Sequence, residues 1–590
     1  MPQLTIQQSF ALAAEHHRAG RLQEAEQLYR QIIAINPNSS EAHYDLGIAL
    51  RDMGRLEEAI NAYRQAIALK PDDAQAHGNL GVALKGIGRL DEAIAAYGQA
   101  IALRPRYAEA HYNLGIALHD KGELDQSIAA FRHAVLLNPN FPQAQNNLGS
   151  ALKDTGQLDE AIAAHRVAIA IKADYPTAHS NLVATLYYHP GFDERSIGSE
   201  LRRWNRQHAE PLSPFIRPHS NDRDPDRPLR IGFVSPDFRR HPVGFAIGPL
   251  LRNHDRRQFE VFCFSNSTAE DAVTETIRAS ADHWHSIAKM PDDQAAELIR
   301  QNRIDILIDL AVHTTGNRLL VFARKPAPVQ ATYLGYCGST GLDAIDYRIS
   351  DPFIDPPGED ESCYSEKTIR LPRTFLCWEW RGGDVPIGEL PTDRRREITF
   401  GSLNNFCKVT PAVLRCWGDL LTQMPHSRLI LRTPPGETAQ RARKTLLDCG
   451  VAENRIALVG WLPGEDYLRL CRQVDIGLDP FPYPGFTTTL DLLWMGVPVV
   501  TLSGPTAVSR GGRSILSNLG LPELVASTPQ EYVRIALGLA GDWNRLDTLR
   551  RSMRARMLAS PQMDAAGFAR DMEAAYRQMW RNWCEKPSGH

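Results

Sequence analysis

Cysteine is scarce in this 590-residue chain: there are nine, none lies before Cys263, and no two stand in a CxxC spacing. That excludes a disulfide framework and the common zinc modules, and it suits a reducing compartment. An excess of charge of either sign is also missing, with 66 Lys and Arg against 69 Asp and Glu. A formal net charge of −3 gives no electrostatic basis for nucleic acid or an anionic membrane surface as the main partner. No apolar run approaches the ~20 residues that a membrane span needs. The opening MPQLTIQQSFALAAEHH lacks the basic start and apolar core of a secretory leader. These absences predict a cytoplasmic protein with no membrane span. Hydrophobic residues at 43% and charged residues at 23% are ordinary globular values. The length suits roughly three or four domains.

What the chain does have, first, is a repeat. Gly20, Gly54, Gly88, Gly122 and Gly156 are spaced by 34 residues, and Pro37, Pro71, Pro105 and Pro139 keep the same step. So do Ala25, Ala59, Ala93 and Ala161, with Ser127 standing in once. Apolar residues between these marks recur at three and four, which predicts two helices joined near each Gly. The small residues are expected to let antiparallel helices approach closely, and the Pro to close each unit. A period of 34 with this pattern resembles the tetratricopeptide repeat. Five repeats fill about residues 6–175 and a half repeat ends the array at about 188.

Asn79, Asn113, Asn147 and Asn181, each just before a Leu, keep the same step; Asp45 precedes them by one period and Ala11 occupies the first repeat. Singly, each reads as a solvated polar residue. Stacked repeats place four such amides in a row along a concave groove. An amide carries both donor and acceptor atoms, so the row is suited to grip an extended peptide backbone without reading its side chains.

A linker is expected over residues 189–228, ending in HSNDRDPDRP. Its Asp222-x-Asp224 could be mistaken for a metal-binding pair, but it lies in a solvated charge run before the first strand. Short apolar runs then alternate with helical patterns: LRIGFVS (229–235), FEVFCFS (259–265) and IDILIDLAV (304–312). A second set follows with ITFGSLN (398–404), SRLILR (427–432), RIALVG (455–460), DIGLD (475–479) and PVVTL (498–502). Alternation of this kind predicts two successive parallel-sheet α/β domains, residues 229–390 and 397–560, with a helix over 561–585. The fold class is therefore an α-solenoid followed by two Rossmann-like domains with a cleft between them. The outline fits a two-domain (GT-B type) glycosyltransferase, and equally an epimerase or a phosphorylase.

Residues expected in the cleft narrow the choice. In GLDPFPYPGFTTTLDLLWMGVPVVTLSG (477–504), a strand and a Pro/Gly turn lead to Thr487, Thr488 and Thr489 at a helix start. Backbone N–H groups, hydroxyls and the positive dipole end suit a diphosphate there, whereas simple capping needs only one Thr. Asp491, one turn later, is placed to accept from ribose hydroxyls. Lys408, beside Asn404 and Asn405, follows the first strand of the same domain and can bring a positive charge to leaving phosphates. His241 and His313 each follow a strand of the first domain; either could act as base or hold a hydroxyl, although buried structural histidines are common.

The array, SPDFRRHPVG, KPAPVQ, LGYCGSTG, LNNFCK and PGFTTTLDLLWMGVPVV occur in order. Together they resemble the protein O-linked N-acetylglucosamine transferase and SPINDLY family, glycosyltransferase family 41. The resemblance covers nearly the whole chain. It implies inverting, metal-independent transfer, with no cofactor, from a nucleotide sugar to Ser or Thr of a protein held by the repeats. It makes Lys408 the diphosphate lysine, Thr487 and Thr488 the phosphate-contacting threonines, Asp491 the ribose-binding aspartate and His241 the active-site histidine. The chain departs from the animal enzymes at Phe486, Gly464, Tyr467 and Asn405, positions that touch base and ribose. DYRISDPFIDPP (346–357) is similar to the SPINDLY branch, whose plant member uses GDP-fucose. UDP-GlcNAc is the expected donor, with GDP-fucose and UDP-glucose as alternatives. A reading of another class is an inactive peptide-binding scaffold.

Overall fold

The computed structural model describes residues 5–383, 385–391 and 397–586. The chain forms two compact units, one reaching Thr155 and taking in Ala163–Lys172, the other comprising Gly156–Ile162 and everything from Ala173.

The first unit is a solenoid of helix pairs: Ile6–Arg18 with Leu22–Ile35, Ser40–Asp52 with Leu56–Leu69, Ala74–Gly86 with Leu90–Leu103, and Ala108–Lys121 with Leu124–Leu137, followed by Pro142–Asp154; the helix Leu158–Ile171 is divided between the units. The start is fixed by a capping box between Thr5 and Gln8, and Ser39 and Asp73 cap the next two repeats. The periodic Gly20 series works differently from expectation. All five adopt positive φ, from 75° to 86°, so they turn the chain between paired helices. Close approach comes instead from a second glycine series one helix earlier. A Cβ on Gly47, Gly81 or Gly115 would lie 2.6 Å from the ring of Tyr63, Tyr97 or Phe131, and one on Gly149 would lie 2.7 Å from His165. Repeats two to five thus each seat an aromatic ring on a bare glycine backbone, while the first has Ala13 at that place. Ser127, where other repeats have Ala, is fully buried and satisfied, its hydroxyl donating to the Gly115 carbonyl at 2.7 Å.

The second unit holds two parallel sheets. The first contains β1 (Leu229–Ser235), β2 (Phe259–Ser265), β3 (His283–Ser286), β4 (Ile306–Asp309), β5 (Val329–Thr332), β6 (Tyr347–Ser350) and β7 (Lys367–Arg370), in the order β3-β2-β1-β4-β5-β6-β7. The second contains β8 (Ile398–Ser402), β9 (Ser427–Arg432), β10 (Ile456–Val459), β11 (Ile476–Leu478), β12 (Val499–Leu502) and β13 (Val525–Ala526), in the order β10-β9-β8-β11-β12-β13. The central strands β1, β4, β8 and β11 are buried almost throughout, as their largely apolar runs allow. Arg510, following β12, donates to the Ile354 carbonyl beyond β6 and lies 3.5 Å from Asp355, so the two sheets are pinned across the cleft.

Helix Pro176–Leu186, the expected half repeat, makes its contacts within this second unit, as in the 3.0 Å bond between Ser180 and His313. The last helix, Ala565–Cys584, packs back on the first sheet's domain: Glu573 meets His254 at 3.2 Å, and Tyr576 packs edge-on to Phe259. Trp580 donates to the Asp224 carbonyl at 3.1 Å and carries Arg227 over its ring. The acidic run around Asp222 is therefore spent on backbone turns and Arg pairs. Among the described residues no group of three His, Cys, Asp or Glu is placed to hold a metal, and no helix is long and apolar enough to cross a membrane.

Gly81→Ala is expected to destabilise the protein by about 1–3 kcal/mol through overpacking against Tyr97. Gly98→Ala, on an exposed stretch of the helix Leu90–Leu103 with nothing within 4 Å of the new methyl, should stabilise by up to about 1 kcal/mol. Chemical denaturation of the two variants checks the contrast; equal effects would contradict the ring-on-glycine packing.

Candidate active site

In each sheet the strand order reverses at one place, between β1 and β4 and between β8 and β11. Crevices open there at the carboxyl ends of parallel strands. The loops leaving these four strands line one cleft of about 590 Å³, with His241 following β1, Thr314 following β4, Lys408 following β8, and Tyr483 to Thr488 following β11.

Lys408 closes a short 3₁₀ turn, Phe406–Lys408, and its Nζ donates to the Pro484 carbonyl at 2.8 Å. Burial pulls its pKa below the usual lysine range, opposed by Cys407 and Asp479. Asn404 and Asn405 line the cleft beside it. Across the same space the helix Thr487–Trp494 begins at Phe486, which supplies no side-chain cap. Its first-turn amides are therefore left for a ligand, at the positive end of the helix dipole. Thr487 and Thr488 line the cleft.

Thr489 does not. It is fully buried, and its hydroxyl donates to Asp479 Oδ1 at 2.8 Å, so the expectation of a third ligand-facing threonine is corrected. A helical step of about 100° turns it from the cleft into the core. Its hydroxyl helps satisfy a carboxylate buried at the end of β11. Gly485 completes this corner, since a Cβ there would collide with Thr489, Asp479 and Asn404.

Asp491 lines the cleft one turn further on and receives the Tyr467 hydroxyl at 3.3 Å. Burial pushes its carboxyl up to about 7. Phe486, Gly464, Tyr467 and Asn405, the four departures from the animal pattern, all line the same cleft.

His241 caps the helix Pro242–Asn253, its Nδ1 accepting the Val243 N–H at 3.3 Å, with Asp237 Oδ2 3.5 Å away. Burial lowers its pKa against the attraction of Asp237. A neutral ring whose Nδ1 accepts carries its proton on Nε2. That ring is arranged to donate to an oxygen in the cleft. Taking a proton at Nε2 needs the other tautomer, with Nδ1–H directed at Asp237 Oδ2 instead of Nδ1 accepting from Val243 N–H.

His313 is corrected outright. It is fully buried, one nitrogen bonding the Thr340 carbonyl at 2.8 Å and the other Ser180 at 3.0 Å, with Trp204 packed edge-on. Burial pushes its pKa down to about 3. It buttresses helix Pro176–Leu186 and cannot reach an acceptor; its neighbour Thr314 faces the cleft instead.

In the first unit Asn79, Asn113 and Asn147 are half-buried at equivalent places. Two are also held by the preceding repeat: Asn79 donates to the Tyr44 hydroxyl at 2.8 Å and Asn147 to that of Tyr112 at 3.3 Å. Asn181 belongs to the second unit, where it lines a second cavity of about 360 Å³ with Thr177, Ser180 and Trp204. The cleft also contains residues that the sequence did not single out: Tyr188, Tyr336, Tyr483, Arg432 and Trp461. Arg432 ends β9 and Trp461 closely follows β10, so the carboxyl-end rule would have found both.

Residues 208–382 and 389–572 match the family described as glycosyl transferase family 41. The chain belongs to that family. Tetratricopeptide repeat families match within 28–173. The chain is 37% identical over 411 residues to the probable UDP-N-acetylglucosamine–peptide N-acetylglucosaminyltransferase SPINDLY of Oryza sativa subsp. japonica, covering 68% of this chain and 44% of that one. It is 26% identical to the UDP-N-acetylglucosamine–peptide N-acetylglucosaminyltransferase of Caenorhabditis elegans over 60% of this chain and 41% of that one. It thus spans under half the length of these curated relatives. Among solved structures, a mutant of the Thermobaculum terrenum O-GlcNAc transferase superposes with a TM-score of 0.81 at 36% identity, covering 87% of this chain and 98% of that one.

Replacing His313 by Ala should cost about 2–4 kcal/mol of stability, because it empties a packed site and strands the Ser180 and Thr340 partners. Nucleotide affinity of the folded fraction should be unchanged. Denaturation and calorimetric titration separate the two, and a selective loss of nucleotide binding would return His313 to the cleft.

Proposed function

We propose that the protein transfers a sugar, N-acetylglucosamine from UDP-GlcNAc, to Ser or Thr side chains of proteins held by its repeats, inverting and without a divalent metal. The observation that carries this reading is the convergence on one cleft of Lys408, the uncapped helix start at Thr487–Thr488, Asp491 and His241. In this reading the donor diphosphate sits at the helix start and Asp491 accepts from the ribose hydroxyls. Lys408 offsets the negative charge that grows on the diphosphate as the sugar departs. Fixed charges aimed at a developing anion are usually the largest catalytic contribution. His241, donating from Nε2, orients an oxygen of the acceptor or of the sugar. Asn79, Asn113 and Asn147 are assigned to the acceptor's backbone. The tyrosine contacts of Asn79 and Asn147 occupy Nδ2 donors, which suits amides held in a fixed orientation.

The names of the relatives support UDP-GlcNAc as donor. The departures at Phe486, Gly464 and Tyr467 leave Lys408 and the helix start intact but leave the base open, and the likeness of residues 346–357 to the SPINDLY branch makes GDP-fucose the second donor reading. Nucleotide release from UDP-GlcNAc, UDP-glucose and GDP-fucose decides between them. Lys408→Ala should lower release from the true donor by well over tenfold, more than ~1.4 kcal/mol of barrier. Near-normal turnover in that variant would sink the assignment. No release from any donor, together with no binding of UDP or GDP, would leave a peptide-binding scaffold.

Asp491 supplies a pH test. Its carboxyl is raised to about 7 by burial, so the ionised acceptor is present above that value and lost as pH falls through it. Affinity for the nucleoside diphosphate should weaken several-fold between about pH 8 and pH 6, and Asp491→Asn should flatten that dependence. A wild-type profile equally flat would remove Asp491 from the ribose.

A further inference from the structure

The stem of a lysine is flexible, and a cation that must meet a diphosphate at one place needs something to hold it there. The structure supplies a holder that is not one of the residues assigned to the donor above. The Lys408 ammonium lies 4.4 Å from the centroid of the Tyr483 ring, while its proton donation goes to the carbonyl of the next residue, Pro484. Tyr483 is itself braced. Its ring stacks on that of Tyr188 at 4.6 Å between centroids with only 11° between planes. Tyr188 lies two residues beyond the end of the helix Pro176–Leu186, which is locked to the first sheet's domain through Ser180 and His313. All three side chains line the same cleft.

We propose that Tyr483, braced by Tyr188, is a positioning residue for the transfer, its ring holding the Lys408 ammonium where the leaving diphosphate develops charge. The proposal rests on the glycosyltransferase reading for what Lys408 does, although the cation–ring contact stands without it. The face of a tyrosine ring attracts a cation without neutralising it, as a carboxylate partner would. Lys408 can therefore be fixed before the donor arrives and still offer its full charge to phosphate oxygens. The Pro484 carbonyl is an equally mild partner, a single neutral acceptor that a phosphate oxygen can replace. The charged and titratable groups facing Lys408 are few: Asp479 beyond the turn, Cys407 beside it, and Tyr483. Behind Tyr483 stand Cys407 and Cys337, and burial raises the Cys337 thiol well above its usual range. Removing the ring takes away a group that favours the ammonium, and burial, which disfavours it, is then less opposed.

The test compares Tyr483→Phe, which keeps the ring face, with Tyr483→Leu, which removes it, and adds Tyr188→Leu, which removes only the brace. Lys408 is followed directly by NMR after ¹³C-methylation of the lysines, with Lys408→Arg assigning its signal. Affinity for UDP and GDP is measured by calorimetry on the same full-length proteins. Tyr483→Phe should match wild type in both readouts. Tyr483→Leu should move the Lys408 titration to lower pH and weaken binding of the preferred nucleoside diphosphate about five- to thirtyfold. Tyr188→Leu should produce the same changes in smaller measure, and it carries the test if Tyr483→Leu does not fold. An unmoved Lys408 titration and unchanged affinity in the folded Leu variants would overturn the proposal. Failure of the wild type to release nucleotide from any donor, together with no binding of UDP or GDP, would overturn the glycosyltransferase reading instead, leaving the titration to judge the contact alone.

Discussion

Everything at the cleft depends on one constraint, the reversal of strand order at β1/β4 and β8/β11. A right-handed crossover from a parallel strand can go to either side of the starting strand, and where the chain changes side two adjacent loops part. In this protein that happens once in each sheet, and the four parted loops carry His241, Thr314, Lys408 and the segment from Tyr483 to Thr488. None of these residues is near another sheet's contribution in sequence. The Arg510 contacts with Ile354 and Asp355 then hold the two sheets face to face across the gap. Because Arg348 also donates to Asp355 at 2.7 Å, this anchor is a shared carboxylate between two guanidinium groups, not a lone ion pair. Breaking one partner would leave a charge buried, which is why such an anchor holds position strongly even if it adds little net stability.

The cleft handles charge sparingly. Besides Lys408, the titratable side chains of the cleft include His241, Arg432 and Asp491, among hydroxyls and aromatic faces. Asp479, the one carboxylate buried at that corner, is engaged by the Thr489 hydroxyl instead of being salt-bridged to Lys408. A direct Lys408–Asp479 pair would spend the ammonium before any diphosphate arrived. With Pro484 and Tyr483 as its partners the lysine remains an available cation.

Much of this was legible in the sequence. The spans of β1, β2 and β9 coincide with the apolar runs 229–235, 259–265 and 427–432, because buried parallel strands are mostly apolar; the charged Arg230, Glu260, Arg428 and Arg432 among them are only partly buried. The solenoid was legible because a repeated unit writes its marks several times. Short polar strands were not: β3 reads His-Trp-His-Ser and lies at a sheet edge, and β6 contains Arg348, which is apolar in neither chemistry nor pattern and is buried only because Asp355, seven residues on, receives it. The two site residues misplaced by sequence reasoning, Thr489 and His313, each stand one position from a residue that does face the cleft. Strand ends and helix starts can be located from composition, but the direction of a side chain within them turns over with a single step. The cleft aromatics Tyr188, Tyr336 and Tyr483 escaped for a different reason, being scattered over three segments with no shared motif.

The glycine periodicity shows the same limit in the solenoid. Two glycine series run through the repeats, and periodicity alone cannot tell which turns the chain and which admits a neighbour. Backbone φ separates them. The Gly20 series lies in the left-handed region with open space in four of its five members, so any Cβ there would be strained by conformation and not by contact. The Gly47 series is helical, and its members differ only in the ring they receive: Tyr63, Tyr97, Phe131 and His165. The last of these is an imidazole, whose Nδ1 contacts Asn146 Oδ1 at 3.1 Å, so a polar ring can replace a phenol only because a buried amide stands beside it. Asn146 next to Asn147 is then a packing residue, while Asn147 keeps the periodic position. Two adjacent amides thus differ in burial and partner through their direction on one helix alone.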